Sequence, residues 1–161
     1  MSSWIEITNP THGGPGWEFG TCLWSPVTNK GGVKSWELMR SLSPGDLVFH
    51  FLKQKPGDGY FLVAASRVSA AFQLVDVEPP EADRWSGMAP YYRVPVERFT
   101  KLSRPLAVDD ILIRNREMLE RELLNLPKGQ FFEKKASGKL QVSLKYLAKA
   151  EGRVEVLLLQ H

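Results

Sequence analysis

Apolar and polar positions alternate in short runs along much of the chain, which is the two-residue period of β-strands. Residues 4–8 (WIEIT) form the first run, stopped by Asn9-Pro10. Residues 47–52 (LVFHFL) and 60–68 (YFLVAASRV) are more continuously apolar, as strands covered on both faces are. Between them, residues 53–59, with Pro56, Gly57 and Gly59, make a hairpin loop. Residues 70–77 either continue the second of these strands or begin a third. Residues 91–99 are a further strand, bulged or on an edge at Pro95. The helical period is clearest over 107–125, where Val108, Ile111, Leu112, Leu119 and Leu123 share a face and Asp109 and Asp110 favour the dipole of the first turn. A short helix fits 35–42, and Ser43-Pro44-Gly45-Asp46 is a turn. Residues 140–147 and 154–159 suit either strand or helix. This mixture predicts an α+β fold on a small, strongly curved sheet. With 161 residues, the chain has the length of one domain, 1–161.

Two stretches break the periodicity. Residues 11–32 form a long loop-like segment with six of the 13 glycines and two of the five tryptophans. Residues 78–90 (EPPEADRWSGMAP) are turn-forming and carry a lone tryptophan, Trp85. Trp17, Trp24 and Trp85 therefore lie outside the patterned core segments, whereas Trp4 and Trp36 fit patterned elements and are assigned to ordinary packing. An indole in a loop must pack beneath it or offer a face to a ligand. For Trp24 and Trp85 both readings stand. The second would let a planar base stack between them.

Composition narrows the class without naming an activity. Hydrophobic residues are 43% and charged residues 24%, the globular average, which excludes a disordered or collagen-like chain. No apolar run approaches a membrane span, and the N-terminus lacks the layout of a secretion signal. The single cysteine, Cys22, cannot pair within the chain and reads as an inert buried thiol in a reducing, cytoplasmic setting. Three histidines and one cysteine exclude a zinc finger; no metal and no cofactor is expected. The net charge is +3, and its distribution matters more than its total. From residue 128 to 153 there are seven basic residues against Glu133 and Glu151, a segment suited to phosphates.

Candidate chemistry is sparse. The run His12-Gly13-Gly14-Pro15-Gly16-Trp17 lacks the Gly-Lys-Ser/Thr of a phosphate loop. His50, between Phe49 and Phe51, points to the opposite face of its strand from both. It is either a half-buried histidine bonded to backbone or a polar residue lining a pocket. Acids are scattered, so a metal-dependent nuclease centre is not visible. No Lys, Thr and Tyr set of a hydrolase acting on RNA appears by spacing.

Three runs are similar to EVE-type domains of the PUA superfamily: Asn9 through Trp17, then Cys22-Leu23-Trp24-Ser25-Pro26, then Pro44 through His50. The loop Arg84-Trp85-Ser86-Gly87, the strand from Tyr91 to Val96, and the segment from Pro105 to Phe132 continue the resemblance. It is closest to EVE domains that prokaryotic modification-dependent restriction systems join to an HNH nuclease. The family fold is a curved β-sheet or pseudo-barrel flanked by helices. EVE domains are related to YTH domains, which hold N6-methyladenine in an aromatic cage, and Leu23-Trp24-Ser25 and Trp85 match two cage positions. Tyr91, Trp17 or His50 would close the third side.

The resemblance implies a binding module that is not an enzyme. Its ligand would be duplex DNA carrying 5-methylcytosine or 5-hydroxymethylcytosine, with the base flipped between Trp24 and Trp85. Ser25 and Asn9 would bond its polar edge, and His12 and Trp17 would take the place it vacates. Lys30, Lys34, Arg84, Lys134 and Lys135 would grip phosphates. A nuclease would have to come from a separate HNH domain or partner, since no His-Asn-His run is present. The alternative is a YTH-like reader of modified single-stranded RNA or N6-methyladenine.

Overall fold

The computed structural model of the chain describes residues 1–53, 55 and 57–161. In it the alternating runs lie side by side as β1 (Ser3–Thr8), β2 (Cys22–Pro26), β3 (Leu47–Leu52), β4 (Phe61–Val68), β5 (Gln73–Val75) and β6 (Tyr91–Ala107). A separate hairpin, β7 (Phe132–Lys134) and β8 (Leu140–Val142), precedes β9 (Leu147–Ala150), which returns to the main sheet. The strand order is β2-β6-β4-β3-β1-β9, with β5 on the first part of β6. β1 and β3 are parallel, and the other pairs are antiparallel. The sheet curls into a half-barrel, the α+β, PUA-like architecture expected. Its two edges come close enough for the Tyr146 hydroxyl, just before β9, to accept the Trp24 backbone N–H of β2 at 3.0 Å.

Strand alternation divides the core. Ile5, Ile7, Phe49 and Phe51 face outward under the helices α1 (Val108–Arg114), α2 (Arg116–Asn125) and α3 (Gly152–Leu159). Each such side chain contributes about 1.5–3 kcal/mol by leaving water. Trp4, Leu23, Val48, Val68, Tyr92, Val94 and Leu147 fill the concave side. Glu6 and His50, neighbours across β1 and β3, face that side as well.

Several elements differ from their sequence expectations for identifiable reasons. The 107–125 helix is two helices, because the Asn115 side chain donates to the Ile111 carbonyl at 2.9 Å and the backbone leaves helical geometry there (φ −113°, ψ 20°). The 91–99 strand runs on to Ala107. One bulge sits at Arg98 (φ 52°), between the Arg67–Glu97 and Ala65–Thr100 pairs, a second irregularity lies between the Ala64–Lys101 and Leu62–Leu106 pairs, and neither is at Pro95. The strand pairs with β2 and β5 up to Pro95 and with β4 from Val96 onward, so the handover precedes the Arg98 bulge, which bends the part paired with β4. The glycine-rich 11–32 segment contains β2, so Trp24 is a strand residue. The 35–42 helix is a 3-10 turn over Glu37–Ser41. Residues 140–147 divide between β8, a short connection and the start of β9, and 154–159 falls within α3. The loop after β3 does join antiparallel neighbours, and its Pro56 lies outside the described residues. Among the described residues no helix is long and apolar enough to cross a membrane.

Candidate functional site

A cleft of about 1200 Å³ opens between the end of β1, β2 and three connecting segments. β2 brings Trp24, Ser25 and Pro26 to it, and the residues after β1 bring Asn9 and His12. Trp36 and Leu38 come from the first 3-10 turn and its approach, and Glu81 through Trp85 from a second turn at Asp83–Trp85. Tyr146, Lys145 and Lys53 complete the opposite side.

The wall on β2 is rigid. Trp24 is 7% exposed, and its ring meets Trp17, Tyr91 and His12 edge-on at centroid distances of 6.1, 6.0 and 6.4 Å. Its indole Nε1–H donates to the His12 carbonyl at 3.1 Å. Gly13 makes this approach possible: a β-carbon there would stand 2.8 Å from Trp24 Nε1 and 2.7 Å from Trp17 Cβ. Ser25 is 3% exposed, and its hydroxyl oxygen, out of contact with solvent, has no hydrogen-bond partner among the described residues. A buried polar group left unpaired just under a cleft wall is unusual in a folded protein, and a ligand group reaching it would satisfy it.

The other wall hangs on two tyrosines. Trp85 is half-buried, and Trp36 meets it edge-on at 4.9 Å. The Tyr91 hydroxyl donates to the Trp85 carbonyl at 2.8 Å, and Glu78 accepts from Ser86 and Gly87 at 2.5 and 2.6 Å. The Tyr92 hydroxyl donates to Glu37 at 2.8 Å and holds the turn that follows Trp36. Adjacent tyrosines of β6 thus anchor the two tryptophan-bearing turns. Arg84 lies over the Trp85 ring at 4.6 Å. Asp83 and His12, both lining the cleft, adopt left-handed backbone (φ 51° and 54°), strain of the kind that gathers at functional sites.

Beneath the cleft is a sealed polar cluster. Glu6 accepts from His12 Nε2 at 2.9 Å, from Tyr146 at 2.8 Å and from His50 Nδ1 at 2.6 Å. Burial would raise the Glu6 carboxyl, but the His12 charge and the hydrogen bonds from His12 and His50 outweigh it and hold it at about 2. Burial opposes the His12 cation too, yet the Glu6 charge wins and raises it above the usual imidazole range. Burial and the same carboxylate push the Tyr146 hydroxyl well above its ordinary value. His50 Nε2 also reaches Ser66 Oγ at 2.7 Å. Ser66, His50 and Glu6 repeat the order of a hydrolase triad. Phe19 and Phe99 close over the ring at 5.3 and 5.4 Å, and all three side chains are sealed, so no substrate carbonyl can reach Ser66.

Of the residues singled out from sequence, Trp24, Ser25, Trp85, Asn9, His12 and Arg84 share this one cleft. Trp17, Tyr91 and His50 do not line it. Trp17 packs behind Trp24 with Arg93 over its ring at 5.0 Å, and Tyr91 anchors the Trp85 turn. His50 is fully buried and bonded to side chains, which corrects both readings made of it. His12 points into the interior, so it cannot leave the loop to replace a flipped base. Asn9 spends its carbonyl oxygen on the His12 N–H at 3.1 Å. Lys30 and Lys34 are exposed on the connection leading to Trp36. Lys134 and Lys135 lie on and beside β7, outside the cleft, paired with Glu120 at 3.2 Å and Glu133 at 3.8 Å. Sequence reasoning missed Trp36, Glu6 and Tyr146. Trp36 sat in a helix-like pattern, and Glu6 took the polar place of an alternating strand, which ordinarily faces water. Among the described residues no three His, Cys, Asp or Glu side chains are placed to hold a metal.

A curled mixed sheet with helices on its outer face thus carries a tryptophan-lined cleft at its rim, on the α+β, PUA-like fold. No family model matches the chain, and no curated protein matches it by sequence. Solved structures do match. A Pseudomonas putida protein shares 15% identity at a TM-score of 0.60, covering 99% of this chain and 98% of its own. Human THYN1, solved in complex with DNA containing 5-methylcytosine, shares 14% at 0.53, covering 100% and 98%. The N-terminal domain of Staphylothermus marinus McrB shares 11% at 0.53, covering 99% and 93%. At these identities the likeness is one of fold.

Proposed function

We propose that residues 1–161 are a single modified-base-binding domain that reads duplex DNA and does not cut it. The target base, 5-methylcytosine or 5-hydroxymethylcytosine, leaves the duplex at a cost of a few kcal/mol. It enters the cleft and lies against Trp24, with Trp85 and Trp36 closing over it. The observation that carries the reading is the unpaired, buried Ser25 hydroxyl in a cleft lined by three tryptophans. Aromatic surface favours any base by about 1–3 kcal/mol. The Ser25 hydroxyl, uncovered as the base seats, adds the polar discrimination that stacking lacks. The cleft also exceeds the ~300–1,000 Å³ of ordinary small-molecule pockets, which leaves room for the sugar and phosphate of a flipped nucleotide. Human THYN1, of the same fold, is a protein solved with 5-methylcytosine-containing DNA.

Arg84, Lys53 and Lys145 line the cleft and take the flanking phosphates, with Lys30 and Lys34 beyond Trp36. The resemblance of the 9–17 and 22–26 runs supports reading the domain as the reader of a modification-dependent restriction system, acting in the cytoplasm with a nuclease domain or partner of the HNH kind. The test is a binding panel at fixed salt. It holds duplexes with 5-methylcytosine, 5-hydroxymethylcytosine, N6-methyladenine or no modification, and single-stranded RNA with and without N6-methyladenine. The expected result is preference for a modified-cytosine duplex, lost in Ser25→Ala and Trp85→Ala. Preference for the modified RNA would replace this reading with the YTH-like one.

A further inference from the structure

Glu6 is a fully buried carboxylate whose partners lead to the cleft wall. The titratable groups facing it come from separate elements: His12 from the loop after β1, His50 from β3, and Tyr146 from the approach to β9. Two of these carry a second bond to Trp24. The Tyr146 hydroxyl, which donates to Glu6 Oε1, accepts the Trp24 backbone N–H at 3.0 Å. The His12 residue, whose ring bonds the same oxygen, accepts the Trp24 indole N–H on its carbonyl at 3.1 Å.

Partner chemistry fixes the His12 ring. The Trp17 carbonyl, 2.6 Å from Nδ1, can only accept, and an ionised Glu6 can only accept. Both ring nitrogens therefore carry hydrogens, and His12 is an imidazolium sealed against a carboxylate. The same ring pins the 12–17 loop through Trp17. Arg93 of β6 faces that loop from outside, with its guanidinium on the Gly16 carbonyl at 3.0 Å, and Glu18 takes the Gly16 N–H at 2.9 Å.

We infer that Glu6 is the positioning residue of the cleft: through the His12 imidazolium and the Tyr146 phenol it fixes the depth and plane of Trp24, the wall a ligand must lie against. The geometric half of this stands without a ligand, and the functional half rests on the base-binding reading above. Loss of the His12 proton removes one of two bonds, either to Glu6 or to Trp17, and so loosens the loop whose carbonyl holds the indole. Trp24 is then coupled to pH although it does not itself titrate.

The test follows the Trp24 indole N–H resonance of the full chain across pH, assigned by its loss in Trp24→Phe. The wild type should show one transition with a midpoint above 6.5. Affinity for a duplex with a single 5-methylcytosine should fall at least tenfold through the same midpoint. His12→Asn, which tolerates the left-handed backbone, should abolish the transition. Tyr146→Phe should keep the midpoint, shift the resonance at all pH values and weaken the duplex at least tenfold. A wild-type indole resonance indifferent to pH overturns the inference, whether or not the variants fold. So do folded variants that bind and titrate like the wild type. If the duplex fails to bind while the indole transition appears and vanishes as stated, the base-reading proposal falls and the positioning role of Glu6 remains.

Discussion

The cleft sets two differently built walls against each other. Trp24 is clasped at its backbone and its indole by groups tied to a buried ion pair, and is packed edge-on by two aromatic rings besides the His12 imidazole. Trp85 ends one short 3-10 turn and Trp36 precedes another; they touch each other and are tethered through backbone and neighbouring residues to the hydroxyls of Tyr91 and Tyr92. One wall is thus part of the folded interior, and the other is attached to it. A ligand can move the second without unfolding anything, whereas the first can change only if the interior does. Discrimination between bases that differ by a methyl group needs one fixed reference surface. Entry of a base from outside needs one that yields.

The largest effect should come from removing what the fixed wall depends on. Glu6→Ala strands the His12 charge and the Tyr146 hydroxyl in the interior, and breaking a buried pair in this way costs about 3–5 kcal/mol. Denaturant unfolding measures it. The same residue sets the acid limit of stability. Its folded carboxyl is held at about 2 against an ordinary 4.5, so its contribution is complete above 4.5 and disappears as pH falls toward 2. His12 acts in the opposite sense. Its folded value is raised, so its contribution is complete below 6.5 and is lost as pH climbs through that raised value. The wild type should therefore be most stable between those limits. A stability curve unaltered at both ends in Glu6→Ala would break the contrast at its base.

Next in size is the direct comparison of the tryptophans. Trp24→Ala removes a buried ring and leaves the His12 carbonyl unpaired, so it should lower stability by about 3–5 kcal/mol as well as abolish binding. Trp85→Ala should barely move the unfolding midpoint, yet weaken a modified duplex by about 1–3 kcal/mol. Equal stability losses in the two variants would mean that the walls are alike.

The sequence told the two walls apart only in part. Glycine and proline around Trp17, Trp24 and Trp85 flagged all three as unusual, and the cleft does collect two of them. The strand identity of β2 was hidden, because five residues between glycine-rich turns are too few to show a period. Trp36 looked like core because a 3-10 turn and an α-helix share their first spacing. Glu6 and His50 each occupied the polar place of an alternating strand. Only the parallel pairing of β1 with β3 reveals that this face is the closed side of a curled sheet. Tyr146 fell in a stretch whose pattern suits strand and helix alike, and its role is set by the gap between two sheet edges.

The smallest expected effect concerns where DNA is gripped, and it separates the cleft from the most conspicuous basic stretch in the sequence. The count of lysines near the C-terminus singles out Lys134 and Lys135 for phosphates. In the fold both lie outside the cleft and face carboxylates, Glu120 and Glu133, so a phosphate would have to displace a partner already present. Lys53 and Lys145 instead line the cleft itself. Each lysine that neutralises a phosphate steepens the dependence of log K on log salt by about one. Lys53→Ala with Lys145→Ala should therefore flatten that slope by about two for every duplex, modified or not. Lys134→Ala with Lys135→Ala should leave it where it was. A slope that flattens in the second pair instead would move the DNA path off the cleft and onto the β7–β8 hairpin, and the two walls would then need another ligand.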